Sequence, residues 1–411
     1  MRRKNLTTPL AIVSIAFLLI NFYVFGGLRF IISNPVFPYL FWGFAGILVS
    51  CAYLATLRIQ NKEPDRFFTV TIHSFIIYLA SEILFSVFLL INDILSFFRA
   101  VPYYFETYSF IIPGRSLILV EMGTALSVFL CLLFIYGILW GKYQYRVIKH
   151  VLYFDDLPKA FEGFTITQIS DIHAGSFNNA RQVQKGINLI NKQHSDLFVF
   201  TGDLVNNRSE EIVPWINHFS QIKAKYGQFS VLGNHDYGDY VKWPNEGEKA
   251  KNLQQLKDYH AQIGFRLLLD EHVTLTKGTQ KIILAGIENW GIGFGQRGDL
   301  NKSLENTQVD DFKILLSHDP THWEEEVKNH SSKIHLTLSG HTHGMQFGVE
   351  FFGIKWSPVS LRYKHWAGLK TENQRTININ RGFGFLGFLG RVGIWPEITV
   401  IELRKNKIKP Q

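Results

Sequence analysis

The sequence predicts two unlike parts: an all-α bundle of about four transmembrane helices, then a layered α/β domain. Three observations lead there. The chain of 411 residues is 46% hydrophobic and only 18% charged, with mean hydropathy +0.04, too apolar for an ordinary soluble domain. Its charge is unevenly spread, since only nine of 42 Lys/Arg and six of 34 Asp/Glu lie up to Gly141. From about Tyr143, short apolar runs separated by polar helical stretches replace the long apolar ones. The expected division is therefore 1–141 for the membrane region and 142–411 for the α/β domain.

Four stretches reach the roughly 20 residues that cross about 30 Å of hydrocarbon as a helix. They lie near 9–25, 36–57, 69–91 and 117–140. The first follows "MRRKNL", yet Asn21-Phe22-Tyr23-Val24-Phe25 is the wrong chemistry for a signal cleavage site, so the stretch reads as an anchor. Arg2 and Arg3 raise a twin-arginine export reading, against which the following spans argue. Counting basic residues in short loops gives nine on one side (Arg2, Arg3, Lys4, Arg58, Lys62, Arg66, Lys142, Arg146, Lys149) and three on the other (Arg29, Arg99, Arg115). That asymmetry predicts both termini, and the α/β domain, in the cytoplasm.

Val101-Pro102-Tyr103-Tyr104-Phe105 reads as a loop in an interfacial aromatic belt. His73, Glu82 and Glu121 sit inside spans, where contact with lipid is costly, and are expected to face other helices or a headgroup. Cys51 and Cys131 both lie in spans, which excludes a thiolate zinc site in the soluble part. The net charge of +8 is scattered rather than striped, so it suits anionic lipid headgroups as partners better than nucleic acid.

Within the α/β part, "YQYRVIKHVLYF" (143–154) is a first strand, and "FTITQIS" (164–170) alternates with a period of two and ends at Asp171. A helix is expected over Arg181–Lys192. "DLFVF" (196–200) then runs into Thr201-Gly202-Asp203. After a helical stretch around Glu211–Ile222, "QFSVL" (228–232) runs into Gly233-Asn234-His235-Asp236. A helix over Glu248–Ile263 precedes "HVTLTK" and "KIILAGI", which resemble a hairpin about Gly278-Thr279-Gln280. "FKILL" (312–316) ends at Ser317-His318-Asp319, and "KIHLTL" (333–338) at Ser339-Gly340-His341. "RTININ" and "EITVIEL" close the chain as a last pair. Five apolar strands thus stop at Asp, Asn or His, where covered sheets build their sites.

Asp171-x-His173 and Gly202-Asp203 are commonplace alone. A specified tetrapeptide, at average usage near 5% per residue, occurs in a chain this long with odds on the order of 1 in 400. Gly233-Asn234-His235-Asp236 and Gly340-His341-Thr342-His343 both occur, each after a strand. Together with His318, in this order, the set resembles the calcineurin-like metallophosphoesterases. The likeness runs over roughly Leu157–Leu403, and "DLPKAFEGFTITQISDIHAG" and "NRGFGFLGFLGRVGIWPEITVIEL" resemble the branch with membrane-anchoring N-terminal segments. One departure is Met345, where that branch often carries a second glycine.

The resemblance implies a four-layer sandwich of two facing mixed β-sheets flanked by helices. It also implies two divalent metal ions, with Asp171, His173 and His343 on one, Asn234, His318 and His341 on the other, and Asp203 bridging. His341 and His343, two apart, are expected to extend one face of a strand. Seven ligands bringing two negative charges leave a surplus that attracts phosphate and hydroxide. Nitrogen and oxygen donors without sulfur favour manganese, iron, zinc or cobalt. By the same resemblance His235 protonates the leaving oxygen or stabilises the transition state, Asp236 orients its ring, and a metal-dependent phosphoric ester hydrolase results.

Substrate is read from context. The run Gly382–Gly390, with Val392-Gly393-Ile394-Trp395, is unusually apolar: either an exposed patch that meets lipid or a loop packed beneath the domain. Arg381 beside it is expected to contact phosphate. The expected substrate is a membrane-associated or lipid-linked phosphodiester, pyrophosphate or phosphomonoester. Some relatives of this arrangement act on nucleotide-linked acylated sugars. A soluble nucleotide and a scaffold without turnover are the alternatives.

Overall fold

The computed structural model describes residues 7–58, 65–109, 111–351 and 354–406. Arg2, Arg3, Lys4 and Lys62, on which part of the charge asymmetry rests, lie outside the described residues. The chain divides into two compact units, 1–136 and 137–411.

Four helices dominate the first: α1 (Thr7–Ile31), α2 (Phe37–Arg58), α3 (Arg66–Thr107) and α4 (Leu117–Leu139). All are long and apolar enough to cross a membrane. Small residues let them approach closely: a Cβ on Gly27 would lie 2.6 Å from Leu89, and one on Gly123 2.7 Å from Phe88. Val24, Phe85, Leu89 and Val120 form the buried centre.

The third helix is much longer than the expected span, with 42 residues. It runs through Val101–Phe105, expected as a loop. The polar residues past the expected end do not stop it because they are satisfied: Asp93 takes two bonds from Arg115, both 2.6 Å, and one of 2.7 Å from the Tyr23 hydroxyl. Pro102 sits inside the helix, which closes at Tyr108 with a left-handed cap whose N–H donates to the Tyr104 carbonyl. Glu82 is buried as expected, whereas Glu121 lies exposed on α4.

In the second unit the strands are β1 (Arg146–Phe154), β2 (Phe164–Ile169), β3 (Leu197–Phe200), β4 (Gln228–Ser230), β5 (Arg266–Leu267), β6 (Glu271–Lys277), β7 (Gln280–Gly286), β8 (Trp290–Gly291), β9 (Gly295–Gln296), β10 (Lys313–Leu316), β11 (Leu336–Ser339), β12 (Val349–Phe351), β13 (Ile354–Trp356), β14 (Gly368–Glu372), β15 (Arg375–Ile379) and β16 (Glu397–Lys405). The helices are α5 (Ala180–Asn191), α6 (Ile216–Phe219), α7 (Glu246–Ile263), α8 (Leu300–Ser303) and α9 (Thr321–Glu325). One mixed sheet has the order β1-β16-β2-β3-β4-β5 and the other β14-β15-β11-β10-β7-β6.

Alternation along the strands builds the layers. Phe164, Ile166, Leu197 and Val199 of the first sheet meet Ile282, Leu284, Ile314, Leu316, Leu336 and Leu338 of the second in one apolar seam. The opposite faces carry Phe198 and Phe200 against Val183, Ile187 and Leu256 of the helices, and Leu315 and Ile377 against Trp323 and Val327. The result is the expected four-layer α/β sandwich.

Some local expectations differ. The stretch Glu211–Ile222 is a 3-10 segment, Ser209–Trp215, and then a single α turn, because Pro214 cannot donate within a regular helix. "RTININ" pairs with the unforeseen β14, and "EITVIEL" inserts between β1 and β2, so the last two strands lie in different sheets.

Candidate metal centre

Strands β2, β3 and β4 are parallel neighbours, as are β10 and β11, so their carboxyl ends gather at one rim. The loops there are crowded. A Cβ on Gly340 would collide with Ser170 Oγ and Asp171 Oδ2, and one on Gly202, at φ +96°, would lie 2.6 Å from the Gly233 nitrogen. Turning side chains inward in this space takes left-handed backbone at non-glycine residues: Asp171 (φ 51°), His173 (47°), Asp203 (63°), His341 (70°) and His343 (51°). Such conformations cost about 1 kcal/mol or more each and cluster at functional sites. His341 and His343 are therefore not a strand face, as expected, but two left-handed residues flanking a right-handed Thr342.

Two triads that can hold an ion result, Asp171–His173–His343 and Asp203–His318–His341, with ligand atoms of each within 4.8 Å of one another. In the first, His343 Nε2 is 3.0 Å from His173 Nε2 and 3.1 Å from Asp171 Oδ1. In the second, His318 Nε2 is 3.2 Å from Asp203 Oδ2 and 3.3 Å from His341 Nδ1. Asn234 joins the second triad with its Oδ1 2.9 Å from His341 Nδ1. Asp203 Oδ2 is also 3.5 Å from His173 Nε2, so this carboxylate touches both groups.

Outer partners decide which atoms face inward. His318 Nδ1 donates to the Thr201 carbonyl at 2.7 Å, leaving Nε2 for the site. His341 Nε2 is engaged by the Tyr363 hydroxyl at 3.0 Å, leaving Nδ1. Asn234 Nδ2 donates to the Tyr240 hydroxyl at 2.7 Å, which aims its oxygen inward. Burial pushes His173 and His341 below the ordinary histidine range, keeping their lone pairs. Burial also acts to raise Asp203, but the imidazoles of His318 and His235 outweigh it and hold the carboxyl well below its usual range. Convergent imidazole and carboxylate donors with no sulfur fit divalent transition ions.

His235 lines the same cleft. Its ring Nδ1 is 2.8 Å from the Asn206 carbonyl, and its backbone N–H donates to Asp203 Oδ1 at 2.9 Å. Asp236, expected to orient this ring, does something else. Its carboxylate accepts backbone N–H bonds from Gly233, Asp203, Leu204 and Val205, between 2.8 and 3.2 Å, clamping the β3 loop to the β4 loop. The Asn206 carbonyl orients the ring instead.

Arg381, expected to meet phosphate, is buried in ion pairs: bidentate to Glu350 at 2.6 and 2.9 Å, and 3.3 Å from Glu397. Two carboxylates distant in sequence have claimed it. The first half of the apolar run after it is packed, since Phe383 stacks on Tyr145 with ring centroids 4.4 Å apart and Phe385 lies edge-on to Tyr143, while Leu386, Phe388 and Leu389 stay half-buried.

The cleft over the triads measures about 480 Å³ and is lined also by Phe294, Met345, Leu361, Arg362 and Tyr363. Sequence reasoning missed Tyr240, Tyr363 and Arg362, which stand outside any motif. It also missed Arg391, wholly buried, which donates to the carbonyls of Arg381 (2.8 Å) and Gly384 (2.7 Å) and lies 3.4 Å from His343 Nδ1. A basic residue amid the glycines of "FLGRVGIW" was its one signal.

Residues 164–345 match a family described as calcineurin-like phosphoesterase, and residues 4–142 match one described as probable calcineurin-like phosphoesterase, transmembrane domain. The metallophosphoesterase YkuE of Bacillus subtilis is 28% identical over 265 residues, covering 63% of this chain and 85% of that protein. A Danio rerio transmembrane protein with metallophosphoesterase domain is 26% identical over 66% of this chain and 60% of its own length. A metallophosphoesterase of Helicobacter pylori strain 26695 is 26% identical over 95% of this chain and 98% of its own.

Proposed function

We propose, on the premise that the chain belongs to the calcineurin-like metallophosphoesterases and carries their four-helix membrane region, that residues 142–411 form a phosphoesterase held at the cytoplasmic face by residues 1–141. The observation that supports it most is the convergence of seven donor side chains from five strand ends on two adjoining triads. Asp171, His173 and His343 would hold one divalent ion and Asn234, His318 and His341 a second, with Asp203 close enough to both groups to contribute to each. A bound pair would supply an activated water and neutralise charge on the phosphoryl oxygens.

The remaining work belongs to the chain. His235 donates its Nδ1–H to the Asn206 carbonyl, which leaves Nε2 for the leaving oxygen, and the ring in its imidazolium form gives that oxygen the Nε2 proton. Tyr363 and Tyr240 keep His341 and Asn234 in their ligating orientation, while Asp236 and Arg391 hold the loops behind them. Arg362, stacked 4.5 Å over the Phe294 ring at the cleft wall, replaces Arg381 as the phosphate contact.

The substrate is lipid-linked in this reading, a phosphodiester or pyrophosphate. Leu361 (89% exposed) and Met345 (56% exposed) put bare apolar surface on the cleft wall, which suits an acyl chain beside a phosphate. Hydrolysis of bis-p-nitrophenyl phosphate with added manganese tests the enzyme. The wild type turns over, and His235→Ala is slower by about 10²–10⁴. Equal rates would mean a scaffold, and preference for free nucleotides over detergent-dispersed lipid phosphates would mean a soluble substrate.

A further inference from the structure

The β12-β13 hairpin is built inside out. Val349 stands opposite Trp356 and Glu350 opposite Lys355, so strand alternation puts the apolar pair on one face and the charged pair on the other. The charged face turns into the domain: Glu350 holds Arg381 through both its oxygens, and the Lys355 ammonium donates to the Ala367 carbonyl and lies 4.8 Å over the Trp366 ring. The apolar face is left outside, with Val349 50% and Trp356 48% exposed. A hairpin that met only water would turn these faces the other way.

The foot of the hairpin is tied close to the end of a membrane-length helix. The Gln346 carbonyl accepts from the Val392 N–H at 2.8 Å, Gly348 donates to the Val392 carbonyl at 3.0 Å, and the adjacent Arg391 N–H donates to the Gly137 carbonyl at 3.2 Å. Gly137 is the first residue of the second unit and stands in the last turn of α4, which is long and apolar enough to cross a bilayer. One short loop therefore joins the hairpin to the place where that helix ends. Exposed Leu361 and Met345 add to the apolar surface, and Arg362 and Lys364, also exposed, follow Leu361 directly. Tryptophan and aliphatic side chains bordered by cations suit the boundary between acyl chains and anionic headgroups. A second copy seated here about a two-fold axis would instead bring the same cations together.

We propose that this face docks on an anionic bilayer surface, with Val349, Trp356, Leu361 and Met345 entering the boundary between headgroups and acyl chains and Lys364 meeting lipid phosphate. Met345 and Leu361 also border the cleft over the two triads, so docking sets the mouth of that cleft against lipid. The contact stands whichever phosphate ester is cut.

The test uses the full chain, carrying Cys51→Ala and Cys131→Ala, in nanodiscs of phosphatidylcholine and phosphatidylglycerol. A nitroxide is attached at Val349→Cys or, for comparison, at Val309→Cys, an exposed position ahead of the amino end of β10 and so at the opposite end of the strands from the cleft. Collisions of the label with oxygen, which concentrates in lipid, are compared with collisions with a water-soluble nickel chelate. Oxygen prevails at 349, at a depth of about 5–10 Å into the boundary, and nickel prevails at 309. Replacing the phosphatidylglycerol by phosphatidylcholine moves the label at 349 outward. Unlabelled protein gives a second reading, since lipids brominated near the carbonyl end of their acyl chains quench the wild type more than Trp356→Phe. Nickel access at 349 equal to that at 309, low access to both reagents or spin–spin broadening that reports cover by protein, a depth indifferent to lipid charge, or equal quenching of the two proteins would overturn the proposal.

Discussion

Between the two sheets, Phe164, Ile166, Leu197, Val199, Leu284 and Ile314 are buried, apolar and in ordinary extended backbone. At the carboxyl ends of the same strands, Asp171, His173, Asp203 and His318 are buried just as deeply but are polar and ionisable, and three of these four have left-handed backbone. The seam gains stability from every residue it buries. The rim does not: its donors are held against their desolvation and backbone cost by what surrounds them. The same fold thus separates the part that supplies stability from the part that consumes it.

The largest contrast should come from Asp203. Asp203→Asn should lower phosphoesterase turnover by about 10³ or more, on the scale of several kcal/mol of lost charge stabilisation. Bound metal measured by elemental analysis should fall, while the unfolding midpoint of the metal-free protein holds or rises. A drop in that midpoint would break the contrast. Phe164→Ala in the seam should do the reverse, losing about 3–5 kcal/mol in denaturant unfolding with turnover preserved below the transition.

Titration separates the regions more finely. His260, buried behind the first sheet with Ser230 as its hydrogen-bond partner, is pushed down to about 3 by burial alone. His318 at the rim, with no ion bound, is pushed up to about 10, because Asp203 outweighs a burial that acts to lower it. His260 is thus neutral in the fold while the unfolded chain protonates near its ordinary value of about 6.5. Its contribution is complete above that value and declines as pH falls toward 3, by about 1.4 kcal/mol per unit. His260→Gln should flatten this part of a stability-versus-pH curve measured by denaturant titration.

The smallest effect concerns Met345, at φ 48° and 56% exposed. Met345→Gly removes left-handed strain at the cost of chain entropy, so a change within about 1 kcal/mol, toward stability, is expected in thermal unfolding, with turnover kept. A marked loss would mean that its side chain holds the cleft wall.

The two regions were also unequally legible. The seam and the ligands could be read from sequence because both are local: strand alternation marks one, and a polar cluster at each strand end marks the other. What failed depended on partners far along the chain. Arg381 could not be assigned without Glu350 and Glu397, nor the ring of His235 without Asn206, and the aromatic run after Gly382 could be placed only once Tyr143 and Tyr145 were known to cover it. Backbone hand at His341 and His343 was hidden too, since an i, i+2 spacing says nothing of φ. Pro214, and the basic Arg391 amid its glycines, were local signals passed over.

At 1.5 Å per residue, the 42 residues of α3 make a rod of about 63 Å against a hydrocarbon slab of about 30 Å. Even tilted by 40°, the steep end of what membrane helices adopt, it still reaches about 48 Å along the bilayer normal. The helix must therefore leave the hydrocarbon at one end or both, giving an impermeant thiol reagent a landmark: a cysteine placed at Glu106 reports which compartment that end of the helix faces.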